Sequence, residues 1–306
     1  MATNYRFYQI IYVRAYFSKI IFNAAFLLLT FFTVAQVKEP KIDPDWEKPY
    51  PPFRIAGNLY YVGTYDLGCY LITTSEGNIL INTGLANSAP QIKQNIESLG
   101  FRFSDIKILL ITHAHFDHVG ALAAIKKQTG AALMVDAADA ESLETGGSSD
   151  YEMGKYGVIF QPVKPDRLLH DGDTVSFGSM HLIMLHHPGH TKGSCSYLFT
   201  VEDSTKRYRV LIANMPSIIT DRRFADIAAY PNISRDYAYT LHALKIIQFD
   251  IWLSSHASRF NLHDKHKPGD AYNPAAFIDQ RGFDSALADL QKQYDEKLRK
   301  DAEVNK

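Results

Sequence analysis

Four side chains able to bind a metal fall within six residues, in Thr112-His113-Ala114-His115-Phe116-Asp117-His118. An apolar segment, Ile108-Leu109-Leu110-Ile111, runs straight into them, and an amphipathic stretch follows. Positions i and i+2 of an extended chain point to the same side, so His113 and His115 can grip one cation. Asp117 and His118 lie past the bend and can face a second. Imidazole with carboxylate suits zinc, and a zinc that keeps one position open makes its bound water acidic enough to be hydroxide near neutral pH. A lone histidine ahead of a helix carries no such signal, whereas His-x-His-x-Asp-His after a buried strand does.

Two more histidines stand where that cluster needs partners. His190 follows an apolar strand over residues 181–185 across Pro188-Gly189, a turn that swings it over the strand's end. His256 follows the apolar stretch 250–253 after Ser254-Ser255. All three groups lie just beyond the carboxyl ends of predicted buried strands, where layered α/β folds place their ligand crevices. His186 and His187 border this region as groups behind the ligands. His170, His242, His263 and His266 sit in polar or helical contexts and read as surface residues. Residues 145–157 hold four glycines and no sustained periodicity, which reads as a loop near the site. Its Tyr151 and Tyr156 either line the cleft or pack beneath it.

The elements that must position these groups follow from pattern. Short strands at 55–56, 59–62, 69–73 and 79–81 alternate with turns, as in an antiparallel meander. A helix over 89–99 ends at Gly100, the strand 106–111 carries the metal cluster, and a helix over 120–128 is closed by Gly130. A strand at 132–135 and a short helix at 137–143 follow. The second half repeats the order without repeating the sequence, with strands at 173–177, 181–185, 196–200, 208–213 and 250–253 and helices near 234–247 and 284–300. The charged end, 295–306, is expected to fray. The whole reads as α/β, two sheets packed together with helices outside.

Hydrophobic residues make up 46% of the 306 residues and charged ones 21%, an ordinary globular balance with ample core. Length would allow two domains, but α/β folds of about 250 residues form one. Residues 1–35 differ from the rest. They hold Arg6, Arg14 and Lys19 and no acid, then an apolar run over 20–32 broken only by Asn23 and Thr30, then Thr33-Val34-Ala35. That order is a signal peptide cut after Ala35, which places the mature protein in the periplasm with no stable membrane association. The run is short of the ~20 residues a spanning helix needs. Losing three positive charges takes the formal charge from -1 to -4, so nothing invites nucleic acid or an anionic membrane. Residues 36–52, rich in Pro, Lys, Asp and Glu, read as an extended arm leading into a single domain over 53–306. Cys69 and Cys195 lie in strand-like apolar contexts and read as two buried free thiols.

Thr112-His113-Ala114-His115-Phe116-Asp117-His118, His187-Pro188-Gly189-His190-Thr191-Lys192-Gly193-Ser194 and Ser255-His256 resemble the metallo-β-lactamase superfamily, and more narrowly its subclass B3 zinc β-lactamases. The likeness runs from about residue 53 to 293, and segments 55–67 and 213–217 are most similar to the GOB-type enzymes. It implies an αβ/βα four-layer sandwich with a pair of zinc ions at one edge. His113, His115 and His190 would hold the first zinc, and Asp117, His118 and His256 the second. The implied reaction is hydrolysis of the β-lactam amide of penicillins, cephalosporins and carbapenems, hence antibiotic resistance, through attack by metal-bound hydroxide. Asp117 and His190 are then the catalytic pair among the ligands, and Ser217, Asn214 and Tyr156 the expected substrate contacts. A monomer is favoured.

The chain also departs from its relatives. GOB-type enzymes carry Gln at the first ligand position, where this chain has His113. Asn82 stands where many relatives have Asp, which removes the usual carboxylate beneath the metals. Met215 replaces a Ser or Cys and should neither bind zinc nor orient substrate. Ser217 remains, as a substrate carboxylate contact or a structural turn serine. Thioester hydrolases of the glyoxalase II kind and lactonases of the same fold place a bridging Asp after His190, where this chain reads Ala213-Asn214-Met215. A non-catalytic zinc protein is disfavoured, because six ligands for two metals leave positions open. Ser104-Asp105-Ile106-Lys107 leads into a strand and lacks the companion motifs of a serine β-lactamase.

Overall fold

Alternation along the strands decides the layering. Strands β1 (Phe53–Ala56), β2 (Leu59–Tyr61), β3 (Tyr70–Thr74) and β4 (Gly77–Ile81) form the expected antiparallel meander. To β4 are added, in parallel, β5 (Ile106–Leu110), β6 (Ala132–Asp136) and β7 (Arg167–Leu169), giving a seven-stranded sheet in chain order. Successive side chains of a strand face opposite ways. Tyr70, Ile72, Ile79, Ile81, Ile108 and Leu110 accordingly join one apolar cluster, and Leu71, Leu80 and Leu109 join another. A sheet buried on both faces needs cover on both.

The inner face meets a second sheet of β8 (Thr174–Phe177), β9 (Met180–His186), β10 (Cys195–Asp203), β11 (Lys206–Ala213) and β12 (Ile251–Ser254), in the order β12-β11-β10-β9-β8. Only the β11–β12 pair in it is parallel. The α-helices are α1 (Pro44–Glu47), α2 (Ala89–Ser98), α3 (Phe116–Val119), α4 (Leu122–Thr129), α5 (Ala140–Glu144), α6 (Ile233–Ile246), α7 (Leu262–Lys265) and α8 (Gln280–Glu303). Ile92 and Ile96 of α2 and Leu122 and Ile125 of α4 cover the outer face of the first sheet. Tyr237, Leu241 and Leu244 of α6 and Phe283, Leu287 and Leu290 of α8 join the second sheet's cluster, with Trp252 and Phe283 meeting edge to face at 5.3 Å. The result is the αβ/βα sandwich.

The structure, a computed structural model, describes residues 37–204 and 206–303. The signal peptide expected over 1–35, and the cut before Gln36, lie outside the described residues. Both cysteines are buried and unpaired. No helix among the described residues is long and apolar enough to cross a membrane.

Two expectations need correction, and one strand stands where none was expected. The arm is not wholly extended, because Asp43 accepts the Asp45 amide at 2.9 Å and Pro44 opens the single turn of α1. Strand β7 escaped notice because three residues carry too little periodicity to be read. The charged end does not fray at 295. Helix α8 stays ordered to Glu303, since Lys297 reaches the Arg222 carbonyl at 2.6 Å and Asp301 accepts the Phe224 amide at 2.9 Å. Tertiary contacts outweigh the composition there.

The turn that launches the metal loop is tightly held. The Thr83 amide donates to the His118 carbonyl and the Gly120 amide to the Gly84 carbonyl, each at 2.8 Å. A Cβ on Gly120 would lie 2.5 Å from the Leu85 carbonyl carbon and 2.7 Å from the Phe116 oxygen, and both are backbone atoms that cannot step aside. Gly120→Ala is therefore expected to destabilise the fold by about 1–3 kcal/mol. Urea unfolding should show this as a lower midpoint at an unchanged slope. An unchanged midpoint would mean that the turn is slack.

Candidate metal centre

Two residues beyond strand β5, Thr112 is fastened on three sides. The Thr112 amide donates to Asn82 Oδ1 at 2.9 Å, the Cys195 amide donates to the Thr112 carbonyl at 2.8 Å, and Ser255 Oγ donates to Thr112 Oγ1 at 2.8 Å. His113 and His115 follow, and His115 is still extended (φ -100°, ψ 149°) when α3 begins and turns Asp117 and His118 toward the same space. His190 arrives from β9 through a turn held by the Gly189 amide on the Thr191 carbonyl at 2.9 Å and by Thr240 Oγ1 on the Pro188 carbonyl at 2.7 Å. His256 follows β12 and forms a β-bridge with Leu67. Three strand ends from two sheets thus deliver their side chains to one edge of the sandwich.

The donor atoms of His113, His115 and His190 all lie within 4.8 Å of one another, as do those of His113, Asp117 and His118. His115 Nδ1 is 3.1 Å from His190 Nε2. Asp117 Oδ2 is 3.0 Å from His118 Nε2 and 3.3 Å from His256 Nε2. His113 Nε2 is buried with no hydrogen-bond partner, and neither nitrogen of His118 has hydrogen-bond geometry to one. A buried polar atom without a partner costs free energy, and several imidazoles aimed at common points have reason to be so only if a cation is shared. The donor set, imidazole and carboxylate without sulfur, fits zinc.

Groups behind the ligands fix which nitrogen faces inward. A carbonyl can only accept, so His190 Nδ1 carries the proton it donates to the Ser217 carbonyl at 2.8 Å, and Nε2 is left for the cluster. His256 Nδ1 likewise donates to Asp66 Oδ2 at 2.9 Å, while Asp66 Oδ1 accepts the Ser258 amide at 2.8 Å. Asp150, from the Gly-rich loop, brings Oδ2 to 3.6 Å from His115 Nε2 and caps the Glu152 amide at 2.8 Å with its other oxygen.

Burial pushes His113 well below the usual imidazole range, lowers His118, and takes His190 down to about 3, which favours in all three the neutral form that a cation would need. For His256 burial acts the same way, but the hydrogen bonds to Asp117 and Asp66 outweigh it and raise the ring to about 9. Burial would raise Asp117, yet His118 and then His256 hold its carboxyl well below the usual range. Burial works against the charged form of His115 too, but Asp150 outweighs it and raises that ring, so each cluster holds one imidazole kept high by a carboxylate.

The remaining predicted residues are placed as follows. His186 Nδ1 pairs with Asp136 Oδ2 at 2.6 Å, and buried His187 pairs with Ser196 Oγ at 2.7 Å. That same oxygen accepts the Asn214 amide at 3.0 Å, and Asn214 Nδ2 is buried without a partner. Ser217 is half-buried, its carbonyl committed to His190 and its hydroxyl 3.4 Å from the same ring. Tyr156 is half exposed beneath the Lys155 ammonium, whereas Tyr151 is buried with its hydroxyl donating to the His190 carbonyl at 3.3 Å. Met215 lies in the core. Asn82, at φ 63°, serves as a neutral tie, its Nδ2 donating to the Gly68 carbonyl at 3.3 Å. His170 and His242 are exposed as expected. His263 and His266 are not free surface residues, because they stack on Tyr65 and Phe53 with centroids 3.7 and 3.6 Å apart.

Sequence reasoning missed Asp66, Asp139, Asp150 and Trp46. Trp46 is half-buried, with its ring centroid 5.5 Å from His256 and 6.1 Å from Phe116. Around it the arm is tied to the Gly-rich loop's end by the Lys38 amide on the Val158 carbonyl at 3.0 Å, and to the turn after β4 by Glu39 on the Ala86 amide at 2.9 Å and Glu47 on Asn87 at 2.6 Å. A tryptophan in a charge-rich arm, one of only two in the chain, was the available signal.

Residues 69–203 match the metallo-beta-lactamase superfamily. Among solved structures, the chain is similar to the metallo-beta-lactamase GOB-18 from Elizabethkingia meningoseptica, at 58% identity and a TM-score of 0.86, covering 87% of this chain and 98% of that one. It is similar as well to LRA-12, a class B3 di-zinc metallo-beta-lactamase from an Alaskan soil metagenome, at 60% identity and a TM-score of 0.85, covering 86% and 100%. A more distant relative is the acyl-coenzyme A thioesterase MBLAC2 of Gallus gallus, 28% identical over 152 residues. That match takes in 45% of this chain and spans half the length of the thioesterase.

If the two clusters hold separate ions, removing one ligand should empty one site. His256→Ala leaves only Asp117 and His118 in the second cluster, too few for tight binding, and is expected to fall from about two zinc ions per chain to about one. Metal analysis of dialysed protein, with circular dichroism to confirm folding, reads the result. Two retained zinc ions with near-normal turnover would remove His256 from the ligands.

Proposed function

The chain belongs to the metallo-β-lactamase superfamily, and from that premise we infer a zinc-dependent hydrolase that opens the amide bond of β-lactam antibiotics. One observation carries the reading: six imidazole and carboxylate side chains converge with partnerless nitrogens, in a chain 58% identical to GOB-18 along nearly all of that enzyme. We propose that His113, His115 and His190 hold one zinc and Asp117, His118 and His256 a second. The bound ions supply an acidified water as nucleophile and an electrophilic pole for the lactam carbonyl.

The chain's own residues do the rest. The Ser217 carbonyl and Asp66 hold His190 and His256 in the tautomers that turn Nε2 inward. Asp117, kept ionised by His118 and His256, would hold the second zinc together with those two rings and keep a negative charge beside the water that the ions would acidify. The Ser217 hydroxyl, the Asn214 amide and Tyr156 are the proposed contacts for the substrate carboxylate and side chain. No side chain serves as nucleophile.

A thioester hydrolase is the rival reading, favoured by the thioesterase relatives. Against it stands Asn214, a buried amide where the glyoxalase II-like enzymes that the sequence resembles would offer a bridging carboxylate. We propose penicillins, cephalosporins and carbapenems as substrates, antibiotic resistance as the consequence, and a periplasmic monomer as the working form.

A chelator should abolish hydrolysis of a chromogenic cephalosporin and added zinc should restore it, while clavulanate leaves it intact. A higher kcat/KM for S-lactoylglutathione than for the cephalosporin would transfer the protein to the thioester class. Chelator-resistant turnover or a trapped acyl-enzyme would refute the metal mechanism. Export is checked separately. N-terminal sequencing of the periplasmic protein should begin at or near Gln36, and an intact segment 20–32 in the membrane fraction would contradict cleavage.

A further inference from the structure

Behind the first cluster lies a carboxylate that touches no proposed ligand side chain and almost no solvent. Asp139, 2% exposed, ends a 3-10 turn just before α5. Its Oδ2 accepts the Ala114 amide and the Thr191 hydroxyl, both at 2.8 Å, and its Oδ1 accepts the Gly193 amide at 2.7 Å. Ala114 lies between His113 and His115, and Thr191 and Gly193 follow His190. One side chain thereby clasps two loops that come from different sheets and carry all three ligands of one proposed zinc site.

The surroundings are shaped for this clasp. A buried carboxylate is unfavourable unless its oxygens are paired, and here three donors pair them. Gly193 has no room for a side chain, since a Cβ there would lie 2.7 Å from Asp139 Cβ and 2.9 Å from the Ala138 carbonyl carbon. The loop has given up a side chain so that its backbone can come this close. None of the three donors is a metal ligand, so the clasp exists without metal.

We propose that Asp139 is the positioning residue of the first zinc site, setting the distance between the His113–His115 loop and the His190 loop before metal arrives. This rests on the ligand assignment given above. Partners one step behind the ligands are typically worth ten- to a hundred-fold in metal affinity. Asp139→Asn keeps the shape but turns an N–H2 toward at least one donor, so the clasp opens on one side. Thr191→Val removes one donor and leaves the carboxylate with its two backbone amides.

The test uses the His256→Ala protein, in which only the first site should bind tightly, and titrates zinc against a chromophoric chelator. Adding Asp139→Asn is expected to weaken zinc by about ten- to a hundred-fold, and adding Thr191→Val to weaken it by less, in protein that circular dichroism shows to be folded. Should Asp139→Asn fail to fold, Thr191→Val still decides the matter. A merely structural aspartate would lower the melting temperature of metal-free protein and leave the affinity of folded protein unchanged, which overturns the proposal. If His256→Ala alone still binds two zinc ions, the ligand assignment has failed instead, and the two failures are told apart.

Discussion

The centre depends on how strand β5 stops. Thr112 leaves the first sheet with its amide on Asn82, its carbonyl taken by the first residue of β10, and its hydroxyl taken by the loop after β12. These bonds are buried, where the low dielectric strengthens each one and makes its loss expensive. They lock the second sheet to the first at the point where the metal-binding residues begin. Apolar packing brings the two sheets together, and these directed bonds tie them at one point. Asn82 suits this role without a charge. It accepts and donates at once, which a carboxylate could not do.

Around that fixed point, burial and charge are set against each other. Burial holds His113 and His190 of the first cluster low, while Asp150 raises His115 there and, in the second, Asp117 with Asp66 behind it raises His256. The same burial acts on both clusters, so the difference comes from the carboxylates. Neither cluster offers sulfur, and its imidazole and carboxylate donors are aimed by residues one step behind them.

The sequence made legible whatever was local. Periods of two and of three to four residues located eleven of the twelve strands among the described residues and the longer helices, and the spacing in 113–118 with the turns before His190 and His256 located the centre. What stayed hidden was non-local. Asp66, Asp139 and Asp150 are ordinary loop acids until the fold sets them against residues far along the chain. His263 and His266 read as surface because their aromatic partners lie some two hundred positions earlier. The end of α8 is held by the loop around Arg222 rather than by its own composition. Composition forecasts what a segment would do alone, and these segments are not alone.

The N-terminal arm is held from a distance. Its Lys38 meets Val158 and its Trp46 meets His256, some 120 and 210 positions further along the chain. Closing so long a loop is entropically slow compared with forming local turns. The arm is therefore fastened by partners that only the assembled fold brings within reach, and anything that loosens the fold loosens the arm with it.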